Sequence, residues 1–583
     1  MFPQALVLLL TLPRPSAALD PGGAGMDPGS VGLDPWDLVR VDQPDHPDAL
    51  VSSSTGSVLA AAPTDLPWRV EEVPWPDLLL AEELGEPPGG ATTSDPASQE
   101  GGTAWEALDA MGIRPWHEAG IDGNRGGDPV RVAIFDTQWG GLTLAGTDGP
   151  LAGNPQISSH DCHIHRSCEP AIDDLLPAFS WESGGHGLAC AEVLLAVSPG
   201  VRLYLVRVST QTALENAVDW ASREGIEVVS MSMSFFNSSF YDGTGPMAEI
   251  MDRLHAGGAL MVTSAGNYST QHWSGELRDL DGDGIHEFSD ERRTLPVYLG
   301  AGTYRFMLSW DDFGRCGRTD LDTYVYAADG RVVGRSERRQ VEGEGCEPVE
   351  RVRVSAEVEG WYYLEVRRAA GADDVRLDVL ARGGQVWEGR PAGSVTDPGT
   401  HPAVLTVGAV RADGYLDNDA ESFSSQGPTL GGLDKPDLAG PNGLSTSVYG
   451  PTGFYGTSAS TPAVVGAIAL LMDQDPGIDA FEAARRLRGQ TLSDGRSTWA
   501  QADPALGAGK VRLAPLDPGS RCAGGALLAP GILLWLGLRP RSHGLWPRSH
   551  GLWPRSHGLW PRRRLRQAGK LPLVRTRPSP TDA

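Results

Sequence analysis

The run VRVAIFD (Val130–Asp136) is short, mostly apolar, and ends on a carboxylate. Similar runs recur at Val201–Val208, Ile226–Ser232, Ala259–Ser264 and Val404–Val410, with helical patterns between them at Gly187–Val197, Thr212–Arg223, Met247–His255 and Ala463–Leu471. Continuous apolar strands alternating with helices predict an α/β fold: a parallel sheet covered on both faces, a three-layer arrangement. Reactive groups of such sheets sit just beyond the carboxyl ends of the strands, so the residues that follow these runs are the ones to read for chemistry.

Asp136 ends the first strand, in VAIFDTQWGG (132–141). His186 opens an apolar helix in SGGHGLACAEVLL (183–195), and Ser458 opens another in GTSASTPAVVGAIALL (456–471). Taken singly, the Asp reads as a turn, the His as structural and the Ser as a helix cap. Taken together, they supply what a serine hydroxyl needs at neutral pH. An imidazole takes its proton, and a carboxylate holds the imidazole's tautomer and stabilises its charged form. A fourth element follows a strand in GALMVTSAGNYS (258–269), where Gly266-Asn267 places a side-chain amide able to donate to an oxyanion beside the Ser458 backbone N–H.

These motifs, in this order, resemble the subtilisin-like serine peptidases. VVSMSMS (Val228–Ser234) is similar to the family's substrate-binding strand. FSSQGP (Phe423–Pro428), KPDLAGP (Lys435–Pro441) and HPAVLTVGAV (His401–Val410) are similar to its later segments. The resemblance implies a subtilisin-like domain built from 103–270 and 394–515, with Ser458 as nucleophile, His186 as general base and then acid, Asp136 orienting it, and Asn267 in the oxyanion hole. It also implies polypeptide substrates bound as an extended strand along Ser232, Met233, Ser234 and Gly266. Three positions depart from the family pattern: Gln138 and Ser234 replace glycines, and Leu188 replaces a threonine. An inactive surface-binding protein on the same scaffold is the alternative. The acid-acting sedolisin relatives use Glu where this chain has His186.

Asn267 and Ser458 lie 191 residues apart, and 271–393 reads as an inserted all-β unit. Near its start, DLDGDGIHEFSD (279–290) places Asp279, Asp281, Asp283, Glu287 and Asp290 around a glycine turn at Gly284. Oxygen ligands at alternate positions suit a structural Ca²⁺, and a solvated acidic turn is the other reading. Short runs at Thr303–Trp310, Asp322–Ala327, Arg331–Arg335, Arg351–Val358 and Trp361–Arg367, with a hairpin at Ala-Asp-Gly, resemble the pre-peptidase C-terminal β-sandwich. Cys316 and Cys346 flank two of these runs and suit a disulfide in an exported protein. Cys162 and Cys168, with His160, His163 and His165, offer either a local disulfide or a zinc site. Cys190 reads as a small core residue.

The 583-residue chain carries a formal charge of −27, which argues against nucleic acid as a partner. Residues 1–18 read as a signal peptide, with an apolar run at Ala5–Leu12 and small residues at Ser16–Ala18. Residues 19–102 carry sixteen acids and two arginines and read as an acidic pro-region or linker, its best helical piece at Pro76–Leu84. In 516–583, Cys522 precedes an uncharged run of sixteen residues (Ala523–Leu538), short for a membrane span, then three PRSHGLW repeats and an arginine cluster. That order resembles the C-terminal sorting tails of myxobacteria-like surface proteins and suggests membrane or cell-surface attachment, with an extracytoplasmic body.

Overall fold

The computed structural model describes residues 104–139, 151, 154–162, 168–170, 185–290, 292–313, 317–340, 347–371, 374–492 and 502–516, together with backbone strands at Leu38–Gln43, His46–Ser52, Arg69–Val73 and Asp77–Leu80. Residues 1–18, expected to be a signal peptide, most of the acidic region, the tail beyond Leu516, Cys316, Cys346, His163 and His165 lie outside the described residues.

An eight-stranded sheet organises the chain. Its order is Leu438–Asn442, Leu405–Arg411, Leu260–Ser264, Val228–Met231, Arg131–Asp136, Arg202–Arg207, Ile157–Asp161, Glu169–Pro170. All neighbours pair in parallel except the last two strands. The run Arg131–Asp136 shows why both faces must be covered. Val132 and Ile134 enter one core with helices His186–Val197 and Thr457–Gln474. Ala133 and Phe135 enter the opposite core with helices Gln211–Glu224 and Pro246–Ala256. Side chains alternate across a strand, so an unbroken apolar run needs a helical layer on each side. The α/β expectation therefore holds, strand by strand, with ends shifted by a residue or two.

Between Asn267 and Ser394 the period changes from continuous to alternating burial, as in Thr319–Ala327. The strands there form two antiparallel sheets. One orders His272–Glu276, Arg376–Arg382, Gly302–Trp310, Val349–Ala356. The other orders Val332–Ser336, Thr319–Ala327, Gly360–Gly371, Leu295–Leu299, Gln385–Val386. They share a core containing Phe306, Leu308, Trp310, Leu321, Val325, Leu364, Val366 and Val379. The expected hairpin closes where Gly330 N donates to Ala327 O at 2.9 Å.

One expectation is corrected. Within Pro76–Leu84, read above as helical, Asp77–Leu80 is a strand, antiparallel to Met233–Phe236 with Met233 opposite Leu80 and Phe236 opposite Asp77. An open strand edge offers unpaired backbone donors and acceptors, and an extended segment satisfies them where a helix cannot. Among the described residues, no helix is long and apolar enough to cross a membrane.

Candidate active site

Asp136 and His186 meet as the strand and helix assignments require. His186 Nδ1 lies 2.7 Å from Asp136 Oδ2, and both side chains are fully buried. The second carboxylate oxygen accepts from Gln138 N at 2.9 Å, and Trp139 Nε1 donates to the Asp136 carbonyl at 3.2 Å. Gln138, one of the departures noted above, contributes through its backbone, its carbonyl accepting from Gly187 N at 2.8 Å. Gly187 is obligatory by space: a Cβ there would stand 2.9 Å from Asp136 Cβ, Gln138 O and the Trp139 ring.

Ser458 lies in the first turn of Thr457–Gln474, its hydroxyl buried and without a hydrogen-bond partner among the described residues. The two helix starts lie against each other. Cys190, one turn beyond His186, has its Sγ 3.8 Å from Ser458 O, and the sulfur lies within 4.8 Å of ligand atoms of Asp136 and His186. Ser232 Oγ donates to the same Ser458 carbonyl at 3.1 Å, which ties the expected binding strand to the candidate nucleophile.

Asn267 is fully buried, and its Oδ1 accepts from both Thr457 N and Thr457 Oγ1, each at 3.0 Å. Thr457 Oγ1 also accepts from Gly266 N at 3.3 Å. With Oδ1 so held, Nδ2 is turned toward Gly456 at the helix start. The Asn267 carbonyl accepts from Gln271 Nε2 at 3.0 Å, and Gln271 Oε1 accepts from Gly383 N at 2.8 Å. Thr457 and Gln271 were not singled out from the sequence. Thr457 was legible as the residue beside Ser458, whereas the bond that anchors Gln271 comes from a partner 112 residues away.

Met233 and Ser234 lie in the strand Met233–Phe236, with Ser234 Oγ accepting from Tyr268 OH at 3.3 Å. Beside them, Phe235 N donates to Asp397 O at 2.9 Å. Burial raises the Asp397 carboxyl to about 6, against hydroxyl hydrogen bonds from Ser239 and Thr400 that favour its ionised form.

The acidic loop is only partly assembled as a ligand cage. Asp279, Asp281 and Asp283 offer oxygens within 4.8 Å of one another, and Asp279 Oδ1 is buried without a hydrogen-bond partner among the described residues. Those three positions fit a hard cation. Glu287 and Asp290 do not join them: Glu287 Oε2 accepts from Leu280 N at 2.9 Å, and the exposed Asp290 pairs with Arg278 at 2.5 Å. Arg368 and Arg293 also bind the three aspartates. Elsewhere, Cys162 and Cys168 are joined as a disulfide. His160 packs on Trp220, its Nδ1 3.1 Å from Cys168 O. With both thiols bonded, no thiolate pair remains for zinc.

The subtilase (peptidase S8) family profile matches residues 157–303 and 343–502, together more than half of the chain. His186, Asn267 and Ser458 fall inside the matched residues and Asp136 ahead of them. Serine protease AprX of Bacillus subtilis (strain 168) is 30% identical over 147 residues, 22% of this chain and 32% of that protein. Subtilisin DY of Bacillus licheniformis is 24% identical over 156 residues, 24% of this chain and 48% of that protein. The chain thus spans less than half the length of either relative. The Clostridium perfringens CspB protease structure covers 70% of this chain and 97% of its own at 17% identity, with a TM-score of 0.48. With a family match running through most of the sheet, the four helices packed on it and three of the four candidate catalytic positions, this chain belongs to the subtilase family.

Proposed function

We propose that the protein is an exported serine endopeptidase. The observation that carries this is the buried Asp136–His186 pair at 2.7 Å, with the Ser458 helix packed against the His186 helix. Ser458 Oγ attacks the peptide carbonyl carbon as His186 Nε2 takes its proton. Asp136 stabilises the imidazolium, and Asn267 Nδ2 with the Ser458 N–H receives the developing oxyanion. His186 then returns the proton to the leaving amine. Water, activated by the same histidine, releases the acyl group and regenerates Ser458.

The remaining elements take supporting roles in this reading. Residues 1–18 direct export, and 19–102 form a pro-region. Pairing of Asp77–Leu80 with Met233–Phe236 supports that assignment, because it lays the chain's own backbone on the substrate edge. The segment 271–393 is an accessory insertion, and Asp279, Asp281 and Asp283 hold a structural Ca²⁺ with no part in the chemistry. The tail attaches the protein to a membrane or cell surface.

A fluorophosphonate probe tests the central step. Wild type is expected to be labelled, and Ser458→Ala not. Absence of labelling, or equal labelling of both, defeats the peptidase reading.

A further inference from the structure

We infer that Tyr268 fills the first specificity pocket, so that the enzyme takes only Gly, Ala or Ser on the acyl side of the cleaved bond. This rests on the endopeptidase reading. A peptide extended along Ser232–Ser234 delivers its carbonyl carbon to Ser458 and its carbonyl oxygen to the Asn267 amide. The side chain of that residue must then enter the gap between Ser232–Ser234 on one side and Ala265–Asn267 on the other.

In this chain one ring bridges that gap. Tyr268 OH donates to Ser234 Oγ at 3.3 Å. On the opposite wall, its Cε2 and Cδ2 lie 2.4 and 2.5 Å from where a Cβ on Gly266 would stand. The ring is therefore in contact with the Gly266 backbone itself. Gly266 has φ +101, a conformation that excludes a side chain on independent grounds. Tyr268 is 4% exposed.

The ring is also held from behind. Phe236 meets it edge-on at 5.3 Å, and Phe240, Tyr241, Met307, Leu380 and Leu430 complete its buried cluster. Met307 and Leu380 come from the antiparallel β-rich segment, so that segment supplies part of the wall behind the ring. Tyr268 N donates to Ser425 Oγ at 3.1 Å and fixes the ring's root. Swinging the ring out would open a cavity among these side chains, and forcing a Leu or Phe beside it would overpack them. A hydrogen, methyl or hydroxymethyl group asks for neither.

The test uses one peptide sequence with Gly, Ala, Leu, Phe or Lys before the scissile bond, and aryl phosphonates carrying Ala or Phe. Wild type is expected to show kcat/KM for Ala about 10²-fold above Leu and Phe. Tyr268→Ala should move that ratio at least about tenfold toward Leu and Phe, while Tyr268→Phe, which keeps the ring, should leave it in place. Equal turnover of Ala and Phe peptides by wild type, or an unchanged ratio in a folded Tyr268→Ala, overturns the inference. If Tyr268→Ala does not fold, wild-type acylation by the two phosphonates decides alone, and equal rates overturn it. Fluorophosphonate labelling with a flat side-chain profile defeats this inference and spares the peptidase reading. No labelling at all defeats both.

Discussion

Thr457 donates twice to one atom of Asn267: its backbone N–H and its Oγ1 both lie 3.0 Å from Oδ1. The amide that would meet the oxyanion is thus aimed by the residue beside Ser458. Replacing Thr457 by Val removes one of the two bonds. We expect kcat to fall about tenfold or more with KM little changed, and Thr457→Ser to restore it, as measured by steady-state kinetics on a peptide substrate.

Removing the donor itself is more severe. Asn267→Leu should lower kcat by about 10²–10³, the usual loss for one oxyanion donor. The melting temperature checks that the variant is folded. A loss confined to KM would contradict the role.

Gly187→Ala places a methyl group 2.9 Å from Asp136 Cβ, Gln138 O and the Trp139 ring, none of them the far end of a flexible chain. We expect the Asp136–His186 pair to be displaced and kcat to drop about 10²-fold. Fluorophosphonate labelling should slow in parallel, which separates damage at the dyad from lost substrate binding.

Two buried carboxyls give stability a definite pH slope. Burial raises Asp397 to about 6 and Glu350 to about 7. Both folded values lie above the unfolded ones of about 4, so the folded state binds protons more tightly. Their contribution is full below about pH 4 and is lost as pH rises through the folded values. The melting temperature should therefore carry a component that falls from pH 4 to 7. Asp397→Asn and Glu350→Gln should each flatten it, and an unchanged profile in both variants would refute the assignment.

If Asp279, Asp281 and Asp283 hold Ca²⁺, adding the ion should raise the melting temperature and EDTA should lower it. Asp281→Ala/Asp283→Ala should respond to neither. Calorimetry of wild type with and without chelator is the direct check, and a wild type indifferent to both would reduce the loop to an acidic turn bound by Arg293 and Arg368.

The central sheet was legible because its strands are unbroken apolar runs, and the four candidate catalytic residues because each stands at a strand end or helix start within a distinctive motif. Tyr268 and Gln271 escaped the same reading although they follow Asn267 almost directly. Their roles depend on Ser234, Leu380 and Gly383, which tertiary packing brings to them. Asp77–Leu80 was misread for a related reason: local pattern favoured a helix, and an open strand edge 153 residues later in the chain decided otherwise. In the acidic loop the sequence did not reveal the neighbours of its last positions: Leu280 N donates to Glu287 and Arg278 pairs with Asp290.

The hydrogen bond between Gln271 and Gly383 also bears on any attempt to make a minimal enzyme. Trimming the β-rich segment to a short loop would take away the amide that anchors Gln271, and with Met307 and Leu380 the packing behind Tyr268. A shortened protein would carry a looser oxyanion amide and a wider pocket at once. It would be a slower and less discriminating catalyst, even with Asp136, His186 and Ser458 untouched.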